Sequence, residues 1–378
     1  MDSLTQACLG GTIGGIVLGR RLGRKAVMAG ALLATLPDLD SFIDYGDAVA
    51  DYTYHRSFSH SLFVLTGLAT LLALLLARLA PMRRYASFKR WWWFCTLVLL
   101  THPLLDAFTT YGTQLLWPLA PPPAAWQTIF IIDPLYTLPL LVAVLIVLIG
   151  GHAPRALKVG LGLSCVYLAF TVCAKAYVLE RLTPTLARHG LDDQALMVQP
   201  TPLNALLWRV TLVVDDRQLE AFVSLLDGDA PLRFDAFTRH ADLAPAALAL
   251  AEGRRLAWFA GPFLRYGLEN NQLVVTDVRM GLPGAYSFAF AIAGRDERGQ
   301  WQRIAAEQQP FGRPDITTLA RLLQRIIDPR ALCPGDLSPD DLDPDALTAD
   351  TDASGDPGLL SCRTKDAGAQ SSTSPQPS

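Results

Sequence analysis

Histidine and aspartate recur in short motifs along the first half of the chain, in combinations that can hold a divalent metal. One motif is HPLLD, in which His102 and Asp106 lie four residues apart. On a helix this spacing places both side chains on one face, about one turn apart, so both can ligate one ion. A His–Asp hydrogen bond that fixes helix packing is the alternative for this pair.

A second motif, PDLD, places two carboxylates, Asp38 and Asp40, at the end of an apolar stretch. Proline ends or caps a helix, and alternate residues of an extended turn point to one side. Both carboxylates could therefore reach one metal or two adjacent ones. The alternative is that Pro-Asp-x-Asp forms an ordinary turn without a metal.

The third motif is HRSFSHS, which carries His55, Arg56 and His60 directly before an apolar run. Two histidines with an arginine indicate metal or phosphate chemistry, because a guanidinium binds anionic oxygens. A fourth motif, IDPLY, contains Asp133. This aspartate is interpreted as a helix N-cap before a proline, a metal ligand, or a partner of a ligating histidine.

Imidazole and carboxylate ligands without thiolate suit Zn²⁺, Mn²⁺ or Fe²⁺, and we expect Zn²⁺. Such a metal, mononuclear or binuclear, would lower the pKa of a bound water and polarise a carbonyl or phosphoryl oxygen. We predict that Arg56 and His60 act in catalysis. Ser-His-Asp catalysis ranks low because no GxSxG motif is present. The predicted metal ligands are Asp38, Asp40, His55, His60, His102 and Asp106.

Composition places these motifs in a membrane protein. The chain has 378 residues, a net charge of -3 and a mean hydropathy of +0.27, and its first 180 residues carry nearly all the long apolar runs. The small negative charge, without a basic stripe or zinc-finger spacing, excludes a nucleic-acid partner. The six cysteines show no CxxC spacing, and disulfides are not expected.

Six apolar stretches predict about six membrane segments, two of them short compared with the roughly 20 residues of a full crossing. The glycine- and alanine-rich face of the short stretch Ala26–Leu36 predicts close packing against a neighbouring helix. Basic residues cluster in alternate connections and favour the cytoplasmic side. The N-terminus, the acidic loop 38–60 and everything after about 180 then face outward. All acidic residues of the first 179 positions lie on that side, and so do three of the four histidines there, His55, His60 and His102. The predicted segments are Leu4–Gly19, Ala26–Leu36, Leu62–Leu79, Trp91–Leu105, Ile129–Gly150 and Leu157–Val178.

The second half of the chain has a different character. Trp208–Val214 has the pattern of a strand, and Asp242–Glu252 and Ile316–Ile327 have helical spacing. Such patterns over 200–330 predict a small α+β extramembrane domain that covers the site or binds substrate. A connector precedes it at 181–199. Residues 331–378 are rich in Pro, Ser, Asp and Gly and are predicted to form a disordered acidic tail. The predicted fold is thus an α-helical integral membrane domain over 1–180, an α+β domain and a tail.

Several motifs in fixed order resemble the YdjM-type inner-membrane proteins, a family described as metal-dependent hydrolases. The matching stretches are MDSLTQACLG, GRRLGRKA, LPDLD, HRSFSHS, HPLLDAFTTYGTQLLWP, IIDPLYTLPLL and TPLNALLWRV, which span about 1–210. The resemblance implies a multi-pass bacterial inner-membrane protein whose metal ligands fall on the six residues named above. Many members have a histidine where this chain has Gln6, so no ligand is assigned there.

These observations lead to the hypothesis of a membrane-bound, metal-dependent hydrolase acting at the outer face of the inner membrane. Its substrate would be a small molecule or lipid carrying a phosphoester or other ester bond. The alternative is a non-catalytic scaffold or a transporter with a structural metal cluster. A transporter should carry polar groups near mid-membrane, whereas 62–79 and 135–150 offer only Thr66, Thr70 and Thr137. Nothing in the sequence gives the oligomeric state.

Overall fold

The computed structural model describes residues 1–310, 312, 316–343 and 360–362. The first half is helical, with short 3-10 helices at Pro37–Phe42 and Phe58–His60. Proline and aspartate define several of its helix ends: Asp133 accepts hydrogen bonds from the backbone of Leu135 and Tyr136, which confirms its role as an N-cap. The helices are α1 (Ser3–Leu22), α2 (Arg24–Ala34), α3 (Ala48–Tyr54), α4 (Leu62–Arg78), α5 (Ala80–Arg83), α6 (Phe88–Ala107), α7 (Pro134–Gly150) and α8 (Pro154–Arg188).

Glycines allow α1 and α2 to pack at very short range. A Cβ atom placed on Gly30 would lie 2.1 Å from the carbonyl oxygen of Gly10, and one on Gly14 would lie 2.3 Å from the carbonyl oxygen of Ala26. Only residues without a side chain fit such an approach. The close packing predicted for the glycine- and alanine-rich stretch 26–36 is confirmed. It holds the end of α2, and with it the PDLD motif, against α6.

The prediction of six membrane segments is wrong. Within the described residues, α8 is the only single helix that is long and apolar enough to cross a membrane. The number of candidate spans rises to two if the bent pair Ala48–His60 and Leu62–Arg78 is taken as one span. The other apolar stretches fail for physical reasons. α2 has only 11 residues, and α7 begins at Pro134 and has 17, short of the roughly 20 that a crossing needs. In α1, most residues from Thr5 to Gly15 are buried against other helices.

The second half of the chain contains two larger sheets. In the first, β1 to β4 are antiparallel neighbours and β11 pairs in parallel with β4. The second is antiparallel, in the order β10-β9-β6-β5, and β7 pairs with β8. The strands are β1 (Ala195–Pro200), β2 (Leu207–Val214), β3 (Arg217–Ser224), β4 (Arg233–Thr238), β5 (Leu264–Glu269), β6 (Gln272–Asp277), β7 (Gly281–Leu282), β8 (Ala285–Tyr286), β9 (Ala289–Arg295), β10 (Trp301–Gln308) and β11 (Leu360–Ser361).

Helices accompany both sheets. Helical spacing predicted over Asp242–Glu252 is observed as two short helices that break at Leu250, and the helix predicted near Ile316 is confirmed. Trp208 is fully buried in the core between the first sheet and α8. The helices are α9 (Ala244–Ala249), α10 (Ala251–Ala260) and α11 (Ile316–Arg325).

Each sheet packs against a different part of the helical half. The C-terminal half of α8, from Ala174 to Leu186, shares a core with the first sheet. The second sheet and α10 share a core with α3 and Tyr111. The hydroxyl of Tyr52 donates to Asp277 Oδ2 at 2.9 Å, which ties α3 to strand β6. The second sheet therefore lies directly beside the HRSFSHS motif.

The segment after 330 includes a disulfide that contradicts the expectation of free cysteines. Cys333 and Cys362 are bonded, and the parallel pairing of β11 with β4 brings them together across 29 residues. Because the pairing depends on this long-range contact, no local spacing predicted it. Residues 331–343 contain two short 3-10 helices at Pro334–Asp336 and Pro339–Asp341. The rest of the predicted tail, 344–359 and 363–378, lies outside the described residues.

Candidate metal centre

Four predicted ligands converge at one point of the helical half. Asp38 comes from the 3-10 helix after α2, His60 from the 3-10 helix before α4, and His102 and Asp106 from one face of α6. One ligand atom from each lies within 4.8 Å of the other three. His60 Nε2 is 3.2 Å from Asp106 Oδ2 and 3.5 Å from Asp38 Oδ1. His102 Nε2 is 3.2 Å from Asp38 Oδ1 and 3.5 Å from Asp106 Oδ2.

These separations suit a single ion. Ligand atoms bound about 2.0–2.2 Å from a tetrahedral Zn²⁺ lie about 3.3–3.6 Å from one another. Three of the four side chains are fully buried, and that of Asp38 is 21% exposed. We name Asp38, His60, His102 and Asp106 the four-ligand cluster.

The imidazole rings are oriented by their other nitrogens. His102 Nδ1 donates to the carbonyl oxygen of Ala34 at 2.6 Å. Ser59 Oγ donates to Asp40 Oδ2 at 2.6 Å and is therefore free to accept from His60 Nδ1 at 2.9 Å. With the proton on Nδ1, each ring presents the lone pair of Nε2 to the centre of the cluster, which is the arrangement of a metal-ligating histidine.

The electrostatics of the four-ligand cluster favour a cation at its centre. His60 Nε2 and Asp106 Oδ2 are buried and have no hydrogen-bond partner among the described residues. Two nitrogen lone pairs facing two carboxylates repel each other unless a cation lies among them. Without a metal, the Nε2 atoms of His102 and His60 would have to carry protons and donate to Asp38. Burial raises the pKa of Asp38, but these contacts outweigh burial and hold that pKa well below its usual range. The residues present therefore fit a divalent metal.

The other two predicted ligands, Asp40 and His55, are paired with each other beside the cluster. His55 Nδ1 lies 2.9 Å from Asp40 Oδ1, and Asp40 Oδ2 accepts from the backbone N–H of Arg56 at 2.9 Å. Burial raises the pKa of Asp40, but the hydrogen bonds from His55 and Ser59 lower it further than burial raises it. In this geometry Asp40 orients its neighbours, and a ligand role for Asp40 or His55 stays a prediction.

We expect Asp40→Asn to lower the affinity for Zn²⁺ by about 10–100-fold, the usual cost of losing a partner that orients a ligand. An amide cannot accept from Ser59, Arg56 and His55 together, so the His60 ring loses its support. Competition with a chromophoric chelator in detergent measures the affinity. Asp44→Asn is the matched control, because Asp44 is exposed and accepts a local hydrogen bond from Gly46. Equal affinities of wild type and Asp40→Asn would contradict the positioning role.

Arg56, predicted to be catalytic, is buried, and some of its N–H donors have no hydrogen-bond partner among the described residues. Its backbone lies in the left-handed region at φ 61°, which is unusual for a residue other than glycine. The guanidinium lies 5.0 Å from the ring centre of Tyr111, and its Nε is 3.4 Å from Asp106 Oδ2. Within the described part of the chain, neither Nε nor Nη1 has a hydrogen-bond partner. A buried cation with unused donors beside the cluster can bind an anionic oxygen.

Sequence reasoning missed some residues that shape the site. Gln6 Nε2 donates to Asp106 Oδ1 at 3.0 Å and to the carbonyl oxygen of His102 at 3.2 Å. The amino group of Met1 also contacts Asp106 Oδ1. The resemblance had drawn attention to position 6, whereas nothing local marked Tyr111 or Met1.

A second group of possible ligands, Asp235 with Cys333 and Cys362, is found among the described residues. It differs from the four-ligand cluster, because its two sulfur atoms are joined in the disulfide. Asp235 Oδ2 accepts from the backbone N–H of Gly335 at 2.7 Å. This group therefore offers no thiolate to a metal.

The fold and the cluster together define a class: a membrane-associated protein with a buried candidate metal centre of two imidazoles and two carboxylates. The chain belongs to the YdjM inner membrane protein family, whose model matches residues 1–178. It is 38% identical to the inner membrane protein YbcI of Escherichia coli over 128 residues, 32% of this chain and 69% of that protein.

A second relative extends further along the chain. The uncharacterized protein YfhP of Bacillus subtilis is 25% identical over 246 residues, 60% of this chain and 71% of that protein. No solved structure matches. The family assignment made from the motifs is confirmed, and the chain is an inner membrane protein by family.

Proposed function

We propose that this protein is a metal-dependent hydrolase of the inner membrane that cleaves a phosphoester or other ester bond. One observation carries the proposal: four ligand atoms from three separate segments lie at coordination spacing, with both imidazoles oriented from behind. Asp38, His60, His102 and Asp106 would hold the ion. Two nitrogen and two oxygen ligands favour Zn²⁺, and Mn²⁺ or Fe²⁺ also suits them.

A metal held there supplies a Lewis acid and lowers the pKa of a bound water. Residues of the chain stabilise the developing charge and orient the ligands. Arg56 would donate from Nη1, which has no hydrogen-bond partner among the described residues, to the oxygen on which negative charge develops. Asp40 and Ser59 keep the proton of His60 on Nδ1, so that Nε2 faces the cluster. Water reaches the cluster beside Asp38, because the other three side chains are fully buried.

We propose further that the cluster and the extramembrane domain lie in the periplasm. α8 has 35 residues and is about 52 Å long. It begins beside Arg155 and Lys158, which favour the cytoplasm, and ends packed on the first sheet. The Cys333–Cys362 disulfide supports this orientation, since disulfides persist in oxidising compartments.

In this arrangement α8 is a membrane pass that leads from the cytoplasm at Gly151 to the extramembrane domain in the periplasm. Fusions of alkaline phosphatase and of green fluorescent protein at Gly151 and at the C-terminus test the orientation. The phosphatase should be active only at the C-terminus, and the fluorescent protein should be bright only at Gly151. The reverse pattern would place the cluster in the cytoplasm.

A hydrolysis screen of the detergent-purified full chain tests the enzymatic proposal. Phosphomonoester, phosphodiester and acyl-ester probes are offered with Zn²⁺, Mn²⁺ or Fe²⁺. We expect turnover of at least one class, loss of turnover with a chelator, and recovery on adding metal. If no class is cleaved by a metal-loaded protein that remains folded, the enzymatic proposal fails.

A scaffold with a structural metal is the second candidate, and the deep burial of three ligands favours it. Structural sites are closed, whereas catalytic sites keep a position open to water or substrate. The loss of one ligand should affect the two candidates differently. His60→Gln should abolish turnover in an enzyme that stays folded, whereas in a scaffold it should lower the melting temperature with no activity to lose.

A further inference from the structure

The 3-10 helix that carries Asp38 has three distinct faces. In a 3-10 helix, residues i and i+3 lie above one another. Pro37 and Asp40 share the buried face. Asp38 lies on a second face, and the third carries two exposed apolar side chains, Leu39 at 52% and Phe42 at 86%. The ligand with partial exposure thus lies beside an uncovered apolar surface.

That surface continues along α2. Its exposed face carries Met28 at 55% and Leu32 at 73%, and Leu36 follows one turn later. The spacing of four residues keeps all three on one side of the chain. We name Met28, Leu32, Leu36, Leu39 and Phe42 the apolar ridge.

Neighbouring elements expose apolar side chains as well. The 3-10 helix Phe58–His60, next to that of Asp38, exposes Phe58, and α4 exposes Phe63 and Leu71. α4 is half of the bent pair that can cross a membrane. The apolar ridge and these neighbouring elements therefore expose the same kind of side chain, which is the kind that lipid covers.

Charge at the other end of the ridge fits the same occupant. Four cations at or near the surface, Arg20, Arg21, Arg24 and Lys25, lie around the start of α2. Clustered lysine and arginine next to apolar surface bind anionic phospholipid headgroups. Contact with water alone does not explain the exposed apolar side chains of the ridge, and contact with hydrocarbon alone does not explain the four cations.

We propose that the apolar ridge is a docking surface for the phospholipid bilayer. It would place the opening beside Asp38 at the level where polar headgroups meet acyl chains. If the proposed hydrolase function holds, on which this choice of substrate rests, the substrate is a membrane-resident amphiphile whose ester or phosphoester bond lies at that level. A soluble ester would gain nothing from this surface.

Quenching of a tryptophan by lipid tests the ridge without using metal or hydrolysis. Phe42→Trp is reconstituted as the full chain in vesicles of phosphatidylethanolamine and phosphatidylglycerol, with and without brominated acyl chains. The control is Leu226→Trp, since Leu226 is 60% exposed in the extramembrane domain. Wild-type emission from the eight native tryptophans is subtracted.

We expect bromolipid to quench the added emission of Phe42→Trp about two-fold or more, because interfacial side chains lie roughly 5–10 Å into the bilayer. Aqueous iodide should quench Leu226→Trp instead. Quenching of Phe42→Trp by iodide alone would show a ridge in water, and quenching by neither agent would show a ridge covered by another copy of the chain; each overturns the proposal. Absence of hydrolysis in a protein that shows bromolipid quenching would end the hydrolase proposal alone.

Discussion

The double variant His102→Ala/Asp106→Ala is expected to purify without the divalent metal that the wild-type protein retains. Both residues belong to the four-ligand cluster and come from one face of α6. A structural zinc site of four ligands is worth about 10–16 kcal/mol, so the loss of two ligands should cost roughly 5 kcal/mol or more. That corresponds to an affinity lower by about four orders of magnitude.

Metal content is measured by plasma mass spectrometry on protein purified in detergent. A matched control exists in the same chain, because His189 and Asp193 are also four residues apart but lie just after α8, outside the cluster. His189→Ala/Asp193→Ala should keep the wild-type metal content. Equal metal in wild type and in the cluster variant would end the metal-site proposal.

Removing Asp106 also deprives Arg56, Gln6 and the Met1 amino group of a partner. A folding defect must therefore be separated from loss of metal. His102→Gln/Asp106→Asn keeps the side-chain volumes and several hydrogen bonds but weakens both ligands. This variant should show wild-type helicity by circular dichroism and still lose most of its metal.

The sequence was sufficient where spacing within one element decides geometry. His102 and Asp106 lie four residues apart, and the structure turns both to one side of α6. The strand predicted over Trp208–Val214 is confirmed as β2, which begins one residue earlier. Such predictions depend only on the period of a helix or strand.

Spacing was insufficient where the local conformation had to be guessed. An extended turn was assumed at Pro37, which would point Asp38 and Asp40 to one side. The segment is instead a 3-10 helix, in which residues two apart point about 120° away from each other. One carboxylate therefore faces the cluster, and the other faces His55 and Ser59.

The wrong number of membrane segments has a similar cause. Hydropathy counts apolar residues but does not say whether lipid or protein covers them. In α1 the glycine-rich stretch that was interpreted as a membrane segment is buried against α2, and only a tertiary contact reveals this. The convergence of Asp38, His60 and α6 is also a tertiary contact. It was predicted because the motifs were placed on the same side of the membrane, not from local geometry.

Arg56→Lys is expected to lower kcat/KM about 10²–10³-fold in the hydrolysis assay while the metal content stays at the wild-type level. The loss has the size expected when a preorganised donor to a developing oxyanion is removed. Lysine keeps the positive charge beside Asp106 but cannot present two N–H groups in a fixed fork. Arg255→Lys is the matched control, since Arg255 also stacks on an aromatic ring, that of Tyr54 at 4.0 Å, outside the cluster. Its activity should stay within about two-fold of wild type.

Chemical rescue separates a direct role of the guanidinium from support of the fold. Arg56→Gly removes the side chain at a position whose φ of 61° glycine adopts without strain. The buried space beside Tyr111 is then open to guanidinium from solution, which should restore part of the activity in a saturable way. Methylammonium of equal charge should restore less, because it lacks the planar set of donors. Equal rescue by both ions, or loss of metal from Arg56→Lys, would show that Arg56 only balances the charge of Asp106.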